Sequence, residues 1–225
     1  MSSVQSFESW WNTIGSWVEQ PNERRGGKSG VQILHPKSSD KSTLYSKRQI
    51  GHDFRSLRYP GARPTAFREK QALERLPQLG INVPELVYYG AEKKAGVWHA
   101  ILVTKALDGF ISLDDWYKQN IPSQVGQQLH LKLLKAIASM LARLHKAGWQ
   151  HNCCYSNHIF VRVDVDNQSV DCALLDLEKA RRRWAGKRAA KSDMKQLKRH
   201  RGLMPNSDWE LLLSHYQQCN SKVTF

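Results

Sequence analysis

Acidic residues are scarce in this chain of 225 residues, where 20 aspartates and glutamates face 34 lysines and arginines, for a net charge of +14. That imbalance favours anionic partners: nucleotide phosphates, a phosphorylated glycolipid, an acidic membrane surface or nucleic acid. Cysteines are equally few. Of the 4, Cys153 and Cys154 are adjacent while Cys172 and Cys219 lie far apart. With no C-x-x-C pair, a disulfide framework and a zinc site are both disfavoured, and reduced thiols are expected. No apolar run approaches the roughly 20 residues that span a bilayer. Met1 to Trp11 lacks the basic and apolar regions of a signal peptide, so the expected location is cytoplasmic. Peripheral attachment at an inner membrane is the further placement that the charge allows.

Internal repeats and low-complexity segments are also missing. What remains is ordinary globular composition, 40% hydrophobic and 24% charged, and enough length for one sizeable core or two small lobes. Phe7 to Val18, rich in tryptophan, reads as a short helix or strand. Asn22 to Gly30 reads as a glycine-rich turn that introduces the strand Val31 to Leu34, and Thr43 to Gln49 as a second strand. Pro64 to Leu79 turns helical, with Thr65 as the N-cap region and Gly80 as the stop. Leu86 to Tyr89 and Trp98 to Val103 read as strands, and Leu107-Asp108-Gly109 as a hinge. Beyond it, Gln127 to Lys146 is the strongest helix, with Leu134, Ile137, Leu141 and Leu144 on one face. Ile159 to Val165 and Val170 to Leu175 form a hairpin around Asp166-Asn167, and Lys191 to Gln218 reads as two short helices.

Gly148 ends the long helix just before the most informative stretch, His151 to Val161. A protein-kinase catalytic loop reads H-R-D-x-x-x-x-N and is followed by D-F-G. On that frame His151 takes the first position, Cys153 the place of the base aspartate, His158 that of the metal-binding asparagine, and Asp176 that of the D-F-G aspartate. The order of elements, strands with one helix and then mostly helices, is the α+β order of a small bilobal protein-kinase-like fold. The expected division is a strand-rich N-lobe over residues 1–106 and a mainly helical C-lobe over residues 107–225.

Phosphoryl transfer rests on charge neutralisation and positioning more than on covalent chemistry. Lys47 fits the strand lysine that reaches nucleotide phosphates, and Glu69 the helix carboxylate that holds it. Asp176 fits the magnesium-binding carboxylate, because magnesium prefers oxygen. Gly27, Ser29 and Gly30 are candidates for backbone contacts to phosphate, although the segment matches neither G-x-x-x-x-G-K-[ST] nor G-x-G-x-x-G. ATP and Mg²⁺ are the implied cofactors. Plainer readings stand beside these: a surface lysine, an exposed helical glutamate, a hairpin turn. Asp176 lies in the apolar run Ala173 to Leu177, where an acid needs a partner or a metal. His151 is expected to orient the loop, and Asp193 either anchors it or is a solvated acid. Cys153 is a thiol where a carboxylate would take the acceptor's proton. It serves as a thiolate if cations surround it, or as a small buried residue with the base function lost or supplied elsewhere. The basic run Lys179 to Arg201 is a solvated face or an anion-binding one. It has few interleaved aromatics, and nucleic acid is the least favoured partner.

The chain resembles the lipopolysaccharide kinase family, which includes core heptose kinases and Kdo kinases. The residues that carry this are Trp10-Trp11, Trp17-Val18-Glu19, Pro21-Asn22, Arg24-Arg25, Ser29 to Gln32, Arg58-Tyr59-Pro60, Arg63-Pro64-Thr65, Gly109 to Ser112 and Leu175 to Lys179. The resemblance implies a protein-kinase-like fold, an ATP·Mg site and a sugar acceptor of the lipopolysaccharide core. Its heptose kinases hold a histidine at the position of His158 and an aspartate at that of Cys153, so this chain keeps the first and lacks the second. Two functions follow as expectations: a kinase of this kind, or a catalytically impaired pseudokinase acting as an acid-stress sensor or adaptor.

Overall fold

A computed structural model describes residues 6–24, 26–34, 42–56, 59–184 and 186–223. Met1 to Gln5, Arg25, Arg58 and Ala185, which the sequence reading included, lie outside the described residues. The chain divides into two compact units, Met1–Glu74 with Pro84–Ala106, and Arg75–Val83 with Leu107–Phe225.

The first unit is built on an antiparallel sheet of order β1-β2-β3-β7-β6. Its strands are β1 (Ser16–Arg24), β2 (Gly27–Leu34), β3 (Leu44–Ile50), β6 (Leu86–Lys94) and β7 (Val97–Lys105). In β7, Ala100 to Val103 are all essentially buried, as expected of a continuous apolar run rather than an alternating one. Helix α1 (Phe7–Asn12) covers one face. Phe7 packs on Ile101 and Val103, with Trp10, Trp11, Leu44 and Tyr88 around it. Ser6 starts this helix by accepting the Ser9 N–H.

Two local expectations change here. The glycine-rich stretch is not a turn running to Gly30, because β2 already begins at Gly27. The expected helix from Pro64 to Leu79 is shorter. Pro64 ends the hairpin β4 (Asp53–Ser56) and β5 (Tyr59–Pro64), and α2 spans Ala66–Arg75. Pro77 then restricts the chain to a single 3₁₀ turn, Pro77–Leu79. The start of α2 is held from a distance: Gln49 Oε1 accepts both the Ala66 N–H at 2.9 Å and the Thr65 hydroxyl at 3.0 Å.

The second unit is organised around α5 (Gln127–Lys146), whose Leu134, Ile137, Leu141 and Leu144 are buried. Helix α7 (Asn206–Cys219) packs along it. The hairpin β10 (Ile159–Asp164) and β11 (Ser169–Leu174) pairs Ile159 with Leu174, and β8 (Ile111–Ser112) joins β10. Asn82 bridges to Ala173 beside β11, and its side chain donates to the Cys172 carbonyl at 3.2 Å. Short helices α3 (Leu113–Lys118) and α4 (Ile121–Val125) lead into α5. Strands β9 (Trp149–Gln150) and β12 (Arg181–Arg182) pair with each other, and α6 (Gly186–Arg199) follows.

Candidate functional site

In the first unit, β3 carries Lys47 between Val31 of β2 and Leu102 of β7. Its Nζ donates to Glu69 Oε2 at 2.8 Å. The two side chains are only 16% and 11% exposed, so neither is the ordinary surface charge of the plainer reading. A pair this sheltered repays its desolvation only through close geometry, which the 2.8 Å contact supplies. Gly27, Ser29 and Gly30 lie on β2 near the end of the β1–β2 hairpin. A Cβ on Gly30 would stand 2.7 Å from the Trp17 ring and 3.2 Å from Pro21 Cα. The close approach that Gly30 permits in this structure is therefore to Trp17 and Pro21.

In the second unit the loop from His151 to His158 is fastened at several points. Asp193, fully buried on α6, accepts the backbone N–H of His151 at 2.6 Å and of Asn152 at 2.9 Å. Its Oδ2 also lies 3.2 Å from His145 Nε2. Asn152 sits at φ 65°, unusual for a residue with a side chain. It is held there by donating to the Lys179 carbonyl at 2.8 Å. Gln196, one turn along α6, accepts the Cys154 N–H at 3.1 Å.

His151 is completely buried. Its Nδ1 accepts the Cys153 N–H at 3.3 Å, so its proton is on Nε2, which donates to the Leu175 carbonyl at 3.0 Å. Burial pushes its pKa below the usual value, since the ring can be charged there only without water. This residue binds loop to strand and is not presented to solvent.

His158 is placed differently. Its Nδ1 donates to the Cys153 carbonyl at 2.8 Å, and its Nε2 points toward Asp176, 3.7 Å away. Tyr155 stacks against its ring with centroids 5.3 Å apart. Asp176 leaves β11 in the left-handed region, φ 55° and ψ 61°, and its side chain is 39% exposed. The neighbouring Leu175 N–H donates to the His158 carbonyl at 2.9 Å, which ties the two segments together. The structure thus brings His151, Cys153, His158 and Asp176 to one place.

Cys153 is 3% exposed. Its sulfur accepts from Lys179 Nζ at 3.3 Å. This contact with the thiol pushes the Lys179 pKa up. Where a kinase would present a base, a buried thiol lies beneath an ammonium group. Nothing in the linear spacing gives Lys179 a role at Cys153; in sequence it closes the segment Leu175 to Lys179 and opens a basic run. Cys154 is buried outright and burial raises its pKa, so it is a packing residue.

Among the described residues no group of three or more His, Cys, Asp or Glu could hold a metal ion. A single half-exposed carboxylate is nevertheless what magnesium asks of a protein when substrate phosphates supply the other oxygens. Asp176 therefore fits an ion that arrives with nucleotide, and His158 fits a hydrogen-bonding role. Beside the loop, Asp114, Tyr155, Ser156, Asn157, Arg199, His200 and Gly202 line an open cavity of about 460 Å³.

Comparisons with known proteins bear on the family and the fold. The profile of the lipopolysaccharide kinase (Kdo/WaaP) family matches residues 8–216. Protein InaA of Escherichia coli K12 is 40% identical over 96% of this chain and 97% of its own length. The lipopolysaccharide core heptose(I) kinase WaaP of Pseudomonas aeruginosa is 29% identical over 53% of this chain. An Escherichia coli WaaP is 26% identical over 62%. These matches span 46% and 56% of the two WaaP chains. The solved structure of WaaP in complex with acyl carrier protein has a similar fold, with a TM-score of 0.67 at 24% identity over 94% of this chain and 82% of that one. The α+β, kinase-like fold expected from the sequence is thereby shown. Among the described residues no helix is long and apolar enough to cross a membrane.

Proposed function

The chain belongs to the lipopolysaccharide kinase (Kdo/WaaP) family, and from that premise we propose that it binds Mg·ATP and phosphorylates a hydroxyl of a lipopolysaccharide-type sugar. The observation that carries this reading is the sheltered Lys47–Glu69 pair at 2.8 Å. Glu69 fixes the ammonium on β3, and the ammonium is the group that neutralises nucleotide phosphate. Asp176 is the carboxylate assigned to magnesium, and His158, whose Nδ1 gives its proton to the Cys153 carbonyl, is assigned to holding the loop beside it. The cavity beside the loop, with Arg199 and His200 on its wall, is assigned to the anionic acceptor. The acceptor oxygen attacks the γ-phosphorus, the bond to the β-bridging oxygen breaks, and ADP leaves. The hydroxyl proton passes to a phosphate oxygen or to solvent, because residue 153 offers no carboxylate.

Cys153 favours a second reading. A buried thiol that accepts from Lys179 is poorly suited to take a proton, which supports a nucleotide-binding pseudokinase that signals acid stress. Calorimetry with Mg·ATP tests the reading common to both. Binding should be weakened at least tenfold by Lys47→Ala and by Asp176→Asn in folded protein. Native-like affinity in both variants, or no binding by the native chain, would remove the nucleotide site. Phosphate transfer to core-sugar acceptors then separates the kinase from the pseudokinase.

A further inference from the structure

Helix α6 has two very different sides. At about 100° per residue, Lys187, Arg188, Lys191, Lys195, Lys198 and Arg199 fall within an arc of roughly 120°. All six are exposed. The opposite side carries Ala189, Ala190 and Leu197, each buried, and buried Met194 flanks the arc. Asp193, the only acid of the helix, is buried at the centre of that opposite side and is occupied by the loop. No salt bridge occupies any of the six cations among the described residues, whereas Lys47, Lys70, Lys94, Lys105 and Lys118 elsewhere each have a carboxylate within 4 Å. The arc therefore presents positive charge of a single sign. Just ahead of the helix, Trp184 is fully exposed.

We propose that the outer arc of α6, with Trp184 at its start, is a docking surface for an anionic phospholipid bilayer. A row of cations along a helix that lies flat matches a plane of headgroup phosphates, and juxtamembrane lysine or arginine gains about fivefold in partition per residue near such a surface. An indole has an apolar body and one polar N–H, and it partitions to the headgroup level of membranes. Its complete exposure beside the cations gives this surface the chemistry of an interfacial anchor. A nucleic-acid surface would need bases stacked on interleaved aromatics, and the arc itself has none. The assignment does not depend on the kinase reading. It does add a consequence, because Arg199 belongs to the arc and also lines the cavity beside the loop. A protein seated on lipid by α6 would have that cavity at the headgroup level, where a glycolipid's sugars are.

Co-sedimentation of the whole chain with vesicles tests this. The expected result is binding to vesicles containing 30% phosphatidylglycerol, weak binding to pure phosphatidylcholine, and loss of binding as salt is raised. Reversing Lys187, Lys191 and Lys195 to Glu should lower partition by a hundredfold or more, from about fivefold per cation lost and a further penalty for the acids introduced. Reversing Lys135, Lys146 and Lys222, three exposed lysines outside α6, makes the same change in net charge and should lower it far less. Trp184→Ala should abolish the quenching of tryptophan fluorescence by brominated lipid. Equal losses in the two triple variants, both folded by circular dichroism, would overturn the proposal. So would equal binding to neutral vesicles. Failure to bind lipid while the α6 lysines retain an acidic protein or RNA would overturn the lipid assignment as well.

Discussion

Asp193→Asn is the perturbation that most directly probes how the loop is held. The aspartate is fully buried and accepts two backbone N–H groups and approaches His145 Nε2. Asparagine keeps the shape and one carbonyl acceptor. Its NH₂ group then faces a donor, either a loop N–H or the His145 ring nitrogen. A hydrogen bond to a charged acceptor is worth roughly 1.5–3 kcal/mol net, and an orphaned buried donor costs about 1–3 kcal/mol. The two together give about 2.5–6 kcal/mol, and because asparagine keeps one acceptor the lower part of that range applies, about 3 kcal/mol. For a chain of this length, 1 kcal/mol corresponds to roughly 2–4 °C, so the midpoint should fall by about 6–12 °C. Asp171→Asn is the control, because its pair with Arg162 is 42% and 47% exposed and worth at most about 1 kcal/mol. Hydrogen exchange supplies the local readout: the amides of His151 and Asn152 should lose protection while those of α5 keep theirs. A midpoint within about 2 °C of the Asp171→Asn control, with both loop amides still protected, would refute the clamp. In that case the 2.6 and 2.9 Å contacts would carry no net energy.

Two further outcomes follow from the same loop. Burial lowers the pKa of His151 below its ordinary 6.5, so the unfolded chain binds its proton more readily than the folded one. The stability this residue gives is then complete above about pH 6.5 and is lost as pH falls through that value toward the folded pKa. Denaturant titrations from pH 7.5 to 5 should show that loss, and His151→Asn should flatten it; an unchanged slope would rule His151 out as the cause. Cys153→Asp places a carboxylate within reach of Lys179, which already lies 3.3 Å from the sulfur and would hold the new acid in place. General-base catalysis contributes about 10²–10⁴-fold, and transfer to a core-sugar acceptor should rise by that order. A variant that binds nucleotide like the native chain but gains no transfer would mean that more than the base is missing.

The sequence reading succeeded where a signal was local or periodic. The apolar stripe of α5 fixed its limits at Gln127 and Lys146, and β10 and β11 stand where a hairpin was expected. His151, Cys153, His158 and Asp176 were legible because a fixed spacing in the chain translates into a fixed loop. Lys179 was not. Its contact with Cys153 depends on the β9–β12 pairing and on Asn152 holding the Lys179 carbonyl, both of which join residues distant in sequence. The Gln49 cap on α2 was hidden for the same reason, and Thr65 received the credit in advance. Pro60, Gly61 and Pro64 concealed the β4–β5 hairpin, since such residues weaken a strand pattern. Helices α3 and α4 are too short for a 3.6-residue period to show.

The two sides of α6 connect the functional readings. Its buried side holds the loop twice, through Asp193 at His151 and Asn152 and through Gln196 at Cys154. Its outer side is a row of cations that repel one another until an anionic surface neutralises them. Repulsion along a helix destabilises it by a few tenths of a kcal/mol per like-charged i,i+4 pair, and Lys187–Lys191, Lys191–Lys195 and Lys195–Arg199 are such pairs. Neutralising them should make α6 firmer, and with it the carboxylate on which the loop's backbone rests. Lipid binding and loop order would then be linked through one rigid helix. The coupling needs no movement larger than the loss of fraying at its charged face, and its upper bound is the roughly 1.5 kcal/mol that those three pairs store.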